Sequence, residues 1–176
     1  MSTLWLWLGV AAATPAVTVE SASLHLASGA SVRAESASID ESGLSGRDVS
    51  LDKGTLTIRA DATQWTLNGS RGTFEGNVQA EHGDLSFSCT RAEVEFGEDG
   101  KVLRAEATGG VTVQQSGRKA VGEIASFSGG RLVLSGEPTV QQGSSQMVGK
   151  EIIFVVGEDT IECIDCTMRV ASDAQP

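Results

Sequence analysis

Apolar and polar residues alternate along much of this chain. Leu56/Ile58, Leu85/Phe87, Val111/Val113, Leu132/Leu134 and Ile161/Cys163 each place apolar side chains two positions apart. A period of two is that of a strand with one buried face. Thr, Val and Ser are common in these runs, and helix signals are almost absent. Glycines such as Gly54, Gly69, Gly83, Gly117 and Gly130 punctuate the runs, as tight turns require. Pro138 follows Gly136-Glu137, where an edge, bulge or turn is expected. The pattern predicts about 12–16 short strands joined by tight turns. They form a double-layered sheet, solenoid-like or jelly-roll, with the alternate apolar residues on its inner face.

The same pattern repeats. The segment 109–130 (GGVTVQQSGRKAVGEIASFSGG) and the segment 136–157 (GEPTVQQGSSQMVGKEIIFVVG) agree at nine of 22 positions, with Gly136 standing where Gly109 stood. Fainter copies place one apolar position at Ile39, Trp65, Val94, Phe127 and Phe154, with spacings of 26, 29, 33 and 27. A period of this length marks stacked supersecondary units, each too small to bury its own apolar face. Unequal spacing is what matched strands joined by loops of variable length produce. The expected architecture is therefore all-β, built from repeated two-strand units of about 26–33 residues.

Composition narrows the picture. One domain, residues 17–170, is expected for a chain of 176 residues. Tyr is absent, and many inward positions carry Ala, Val or Thr. Such small side chains permit either two closely packed sheets or two sheets held apart by something between them. Net charge is −10, and no basic run exceeds Arg118-Lys119. That argues against a nucleic-acid footprint and against holding an anionic ligand by its phosphates. Any amphiphile would be held mainly by its apolar part.

The amino terminus reads MSTLWLWLGVAAATPA. Leu4–Ala13 is a ten-residue apolar core, about 15 Å long as a helix and too short to span a bilayer. Ala11/Ala13 and Thr14/Ala16 offer small residues for signal peptidase, so residues 1–16 are read as a cleaved secretory signal. Residues 171–176 are small and polar, a tail expected to fray.

Candidate chemistry is sparse. Cys163-Ile-Asp-Cys166 lies in a strand-like run without the helix N-terminus that a redox pair needs. A zinc site lacks partners at ligand spacing, since only Cys89, His25 and His82 remain. Structural residues or a local disulfide are favoured, and a disulfide needs a turn at Ile164-Asp165 because residues three apart on a flat strand face opposite ways. Cys89 takes a small-residue slot of the repeat. Glu93, Glu95, Glu98 and Asp99 cluster near a hairpin tip and read as a solvated turn, not a calcium loop. Gln114-Gln115 and Gln141-Gln142 each follow a strand, either as strand ends or as amides for sugar oxygens at an open edge. Trp65 and Phe74 read as core. No nucleophile–base set and no phosphate loop emerges, so an enzyme is not expected, nor a cofactor or metal.

Three residue sets carry a family resemblance. They are Gly76-Asn-Val-Gln-Ala80; Gly109-Gly-Val-Thr-Val-Gln-Gln115 with Ala120-Val-Gly122; and Leu132-Val-Leu-Ser-Gly-Glu-Pro-Thr-Val-Gln-Gln142 with Val148-Gly149 and Ile152–Phe154. In these the chain resembles the LptA/OstA-like proteins of periplasmic lipopolysaccharide transport, over residues 72–163 directly and 29–71 through the internal repeat. The resemblance implies an antiparallel β jelly roll, a folded taco whose V-shaped groove holds lipid acyl chains. It also implies open edge strands that pair with other LptA-, LptC- or LptD-like proteins, or head to tail with further copies. LptC-like relatives keep a membrane anchor, which Leu4–Ala13 is too short to provide.

The resulting expectation is a periplasmic protein that binds and transfers lipopolysaccharide or a related glycolipid. Leu56, Ile58, Leu85, Phe87, Val111, Val113, Leu132, Leu134, Val140, Ile152 and Phe154 are expected to face the groove. A charge at Val113 or Leu134 should then abolish lipid capture and leave the sheet intact. The alternative is a ligand-free structural or polymerising β-solenoid, such as a bactofilin-like filament or a surface protein.

Overall fold

The computed structural model describes residues 17–25, 29–66, 69–99 and 101–170. The expected export signal (1–16) and tail (171–176) lie outside them. The described chain is all strand and turn. The first eight strands are β1 (Val17–His25), β2 (Ser31–Asp40), β3 (Gly43–Lys53), β4 (Leu56–Trp65), β5 (Arg71–His82), β6 (Leu85–Phe96), β7 (Val102–Gln115) and β8 (Arg118–Ser128). They pair antiparallel in chain order. Six shorter ones follow: β9 (Arg131–Ser135), β10 (Thr139–Gln142), β11 (Ser145–Val148), β12 (Glu151–Val155), β13 (Ile161–Ile164) and β14 (Thr167–Val170). Fourteen strands thus form one unclosed antiparallel sheet, a jelly roll of the expected class. Many are longer than the sequence pattern indicated, reaching 14 residues in β7.

The length has a reason. Beyond β8 the sheet forks: Lys119–Val121 pair with β10, whereas Ile124–Ser128 pair with β9. One branch continues β10-β11-β14 and the other β9-β12-β13. Each long strand therefore serves two half-sheets and bends where it passes between them. Register breaks mark the bend, at Arg59/Ala62, Glu75/Val78, Ser88/Arg91 and Thr108/Val111. At alternate bends one residue is left-handed: Ser21, Asp48, Asn77 and Gly110 within strands, Glu137 between β9 and β10 and Asp165 between β13 and β14 have φ between 44° and 69°. The spacings between these six, like those of the apolar position running from Ile39 to Phe154, follow the sequence repeat. One repeat is thus one trip across the fold line and back. An extra residue at a bulge sharpens bend and twist, which is how an antiparallel sheet turns a corner.

Folding the sheet brings its two apolar faces together. Leu51, Phe74, Val111, Val113, Ala120, Leu134, Ile152 and Phe154 are fully buried there. Toward the β3–β6 end, Trp65 meets Phe74 edge to face at 5.6 Å and stacks on Phe96 at 5.4 Å. Gly72 makes room, since a Cβ there would lie 3.0 Å from the Trp65 indole. Pairs of this kind add about 0.5–1.5 kcal/mol beyond area burial.

Candidate functional site

Between these packed ends the half-sheets stand apart. They enclose an open cavity of about 390 Å³. One wall comes from β4, β5 and β6, with Leu56, Ile58, Val78, Ala80, Leu85 and Phe87. The facing wall comes from β6 to β9, with Ala92, Val94, Val102, Ala105, Ala107, Ala125, Phe127 and Leu132, and from Val156 beyond β12. Most inward positions here obey the strand alternation, with Val102 and Ala105 three apart across a register shift. Alanine at 80, 92, 105, 107 and 125 leaves the space empty, because a methyl group from each wall does not reach the other. A concave apolar cleft with few polar groups is the usual form of a binding site for an apolar ligand.

Of the eleven expected groove residues, the structure places Leu56, Ile58, Leu85, Phe87 and Leu132 on the cavity wall. Val111, Val113, Leu134, Val140, Ile152 and Phe154 also point between the half-sheets, but they are packed into the filled core and do not border the cavity. Val113 and Leu134 are 0% exposed. A charge at either would be buried without a partner and would break the fold, so the expectation that it spares the sheet is corrected. The alanines were missed because a small residue in a strand carries no signal that distinguishes a tight contact from a gap.

Polar contacts cross the mouth at two places. At one, Lys53 Nζ on β3 donates to the Asp99 carbonyl at 2.8 Å. Asp99 also accepts from the Lys101 backbone N–H at 3.0 Å and pairs with Lys101 Nζ at 2.9 Å. The hydrogen bonds from Lys101, backbone first, lower the Asp99 pKa, and the same carboxylate raises that of Lys101. At the other, Gln115 Nε2 donates to the Glu158 carbonyl at 3.1 Å, and Arg118 is ion-paired with Asp159. Asp84 completes this second clasp, accepting from Ser116 Oγ at 3.0 Å. Gln115 is 2% exposed; its Nε2 is held by the fold, while its buried Oε1 has no hydrogen-bond partner. Gln141 and Gln142 end a strand and are exposed. Lys53, Glu81, His82 and Lys101 border the opening, and the sequence pattern singled out none of them as groove residues.

The cysteines are placed at the last corner. Cys163 and Cys166 form a disulfide, with Cα atoms 5.9 Å apart, where β13 passes into β14. Asp165 between them takes φ 51°. Gly149 lies against it, and a Cβ there would come within 2.9 Å of both sulfurs. Cys89 is a free, buried thiol whose pKa desolvation pushes up to about 11. Among the described residues no three His, Cys, Asp or Glu side chains gather as a metal site. A second depression, of about 410 Å³, is lined by Ser38, Ser45, Gln64, Thr73 and other residues of β1–β5. It lacks the apolar lining of the cavity.

A folded antiparallel sheet with an apolar cleft between its halves defines a jelly-roll protein with a groove. The sequence model of one such family, described as LptA/(LptD N-terminal domain) LPS transport protein, matches residues 57–160. The chain belongs to this family. The matched span runs from β4 to the loop after β12 and contains both cavity walls except Leu56. Among solved structures the chain is similar to LptH of Pseudomonas aeruginosa, described as the LptA homologous periplasmic component of the conserved lipopolysaccharide transport device. Identity is 14% and the TM-score 0.58, over 66% of this chain and 95% of that one. At that identity the likeness concerns the fold. No curated protein matches the chain.

Proposed function

We propose that this protein binds lipopolysaccharide or a related glycolipid in the periplasm and passes it between membranes, with acyl chains held in the apolar groove. The observation that carries this reading is the open cleft of about 390 Å³ between half-sheets in a member of a lipopolysaccharide-transport family. Affinity would come from methylene burial, at about 0.8 kcal/mol each, which needs no catalytic group. Transfer follows from the same physics: the lipid moves to a partner whose groove continues this one. The edge strands suit that role. Val17 and Val19 on β1 are 59% and 49% exposed, and β1, β13 and β14 each lack a second strand partner among the described residues. We read the partners as other jelly-roll proteins of the family, or further copies of this chain, joined by strand addition. Export by a cleaved signal in residues 1–16 belongs to the same reading.

Capture of lipopolysaccharide by the purified protein, followed by gel filtration, tests the proposal. Wild type should co-elute with lipid. Phe87→Glu, which puts a carboxylate on the cavity wall, should lose it while retaining the β-sheet circular dichroism. Undiminished capture by that variant would remove the groove from the mechanism, and lipid-free elution of wild type would favour a ligand-free structural role.

A further inference from the structure

The outermost inward-facing positions of one wall form a cross-strand row. Lys53 pairs with Leu56, Leu56 with His82, His82 with Leu85, and at the far end Gln115 with Arg118. No carboxylate lies in this row. The acids of the same strand ends, Asp52 and Glu81, belong by register to the neighbouring row with Thr57 and Ser86, although Glu81 also borders the opening. The segregation stands out in a chain with 23 acidic and 13 basic residues. The facing rim contributes Lys101. Lys53 and Lys101 converge on one residue: Lys53 Nζ on the Asp99 carbonyl at 2.8 Å, Lys101 Nζ on its carboxylate at 2.9 Å. Two ammonium groups thus share a single acidic residue. Each ammonium keeps further N–H donors, with Glu81 the other carboxylate at the opening. Directly beneath lie Leu56, Leu85 and Val102 of the cavity wall.

We infer that the groove's mouth is an anion subsite, in which Lys53 and Lys101, with the His82 ring, receive a phosphate on the polar end of the bound amphiphile. The inference rests on the groove reading and adds the headgroup chemistry to it. An acyl chain in the cleft sets its own polar end at the opening, so the two contacts are made by one molecule. The adjoining apolar wall keeps water from part of the site and strengthens the ionic contact.

The test uses two single-chain lipids of equal chain length, lysophosphatidic acid and the uncharged monoacylglycerol. Each is titrated below its micelle concentration into the full chain and into a Lys53→Gln/Lys101→Gln variant. Wild type should bind the phosphorylated lipid roughly three- to tenfold more tightly, as expected for two partly solvated ion pairs. The preference should shrink at high salt and vanish in the variant, with monoacylglycerol binding affected less than that of the phosphorylated lipid. Inorganic phosphate alone should compete poorly, since it brings no chain. Equal binding of the two lipids by wild type, or a preference that survives in the variant, overturns the subsite and leaves the groove standing. Failure of both lipids to bind overturns the groove and the subsite with it.

Discussion

Asn77 donates from Nδ2 to the Asp61 carboxylate at 2.8 Å, across the line where β4 and β5 bend. Gly76 beside it takes φ 74°, and a Cβ there would lie 2.5 Å from Asp61 Oδ2. The contact recurs one unit later, where Thr90 Oγ1 donates to the Gly109 carbonyl at 2.8 Å. It recurs again at Gly136, whose Cβ would meet Glu123 at 2.6 Å. Each of these three corners thus sets a glycine against a polar side chain on the preceding strand. The glycine supplies the left-handed backbone and the close approach.

Gly76→Ala should therefore cost about 1–3 kcal/mol, from the positive φ and the collision with Asp61. Adding Asp61→Ala should recover part of the steric cost, since the Asp61 Cβ at 2.9 Å remains, and leave the backbone part, so the two changes are not additive. Urea titration of the four proteins measures this. A Gly76→Ala protein as stable as wild type would refute the corner account.

Cavity wall and core should respond differently to truncation. Leu134→Ala, in the filled region, should cost about 2–5 kcal/mol. Phe87→Ala sits beside an existing void and should cost clearly less, yet weaken lipid capture through lost apolar contact. Thermal unfolding alongside a lipid titration separates the two. Equal destabilisation would mean that the cavity is closed in solution.

Cys89 should be inert in the folded protein. Burial raises its pKa from 9.0 to about 11, so its protonated form is favoured by folding. That contribution is full below the unfolded value of 9.0 and is lost as pH rises through about 11. A thiol reagent at pH 8 should label Cys89 only after unfolding, and a Cys89→Ala variant should show a shallower loss of stability above pH 9. Rapid labelling of the native protein would contradict its buried placement.

The Cys163–Cys166 bond closes a short loop, so its entropic worth is modest, about 2 kcal/mol. Reduction, or the Cys163→Ser/Cys166→Ser variant, should loosen the β13–β14 corner and little else. Hydrogen exchange should speed up at amides pairing β11 with β14 and stay slow in β4–β8. Global unfolding on reduction would show that the last corner holds more of the sheet than its contacts imply.

The alternation at Leu56/Ile58 or Val111/Val113 determined by itself that the domain is built of strands and which side chains face inward. The repeat, Gly109/Gly136 with Gln114/Gln141, determined that the strands come in like units, because each unit needs its neighbours to cover its apolar face. The need for a turn between Cys163 and Cys166 was likewise legible, from strand geometry alone. Tertiary structure decided the rest. Val113 and Phe87 carry the same local pattern, yet one lies in a filled core and the other on a cavity wall. The difference is the gap between half-sheets, set by Trp65, Phe74 and Phe96 toward one end, by Phe154 and Ile152 toward the other, and by the alanines between. Lys53 and Lys101 are distant in sequence, with three whole strands between them, and meet at Asp99 only because the sheet is folded. A periodicity records which way a side chain points and not how far away the opposite wall stands, so the groove and its mouth belong to the fold.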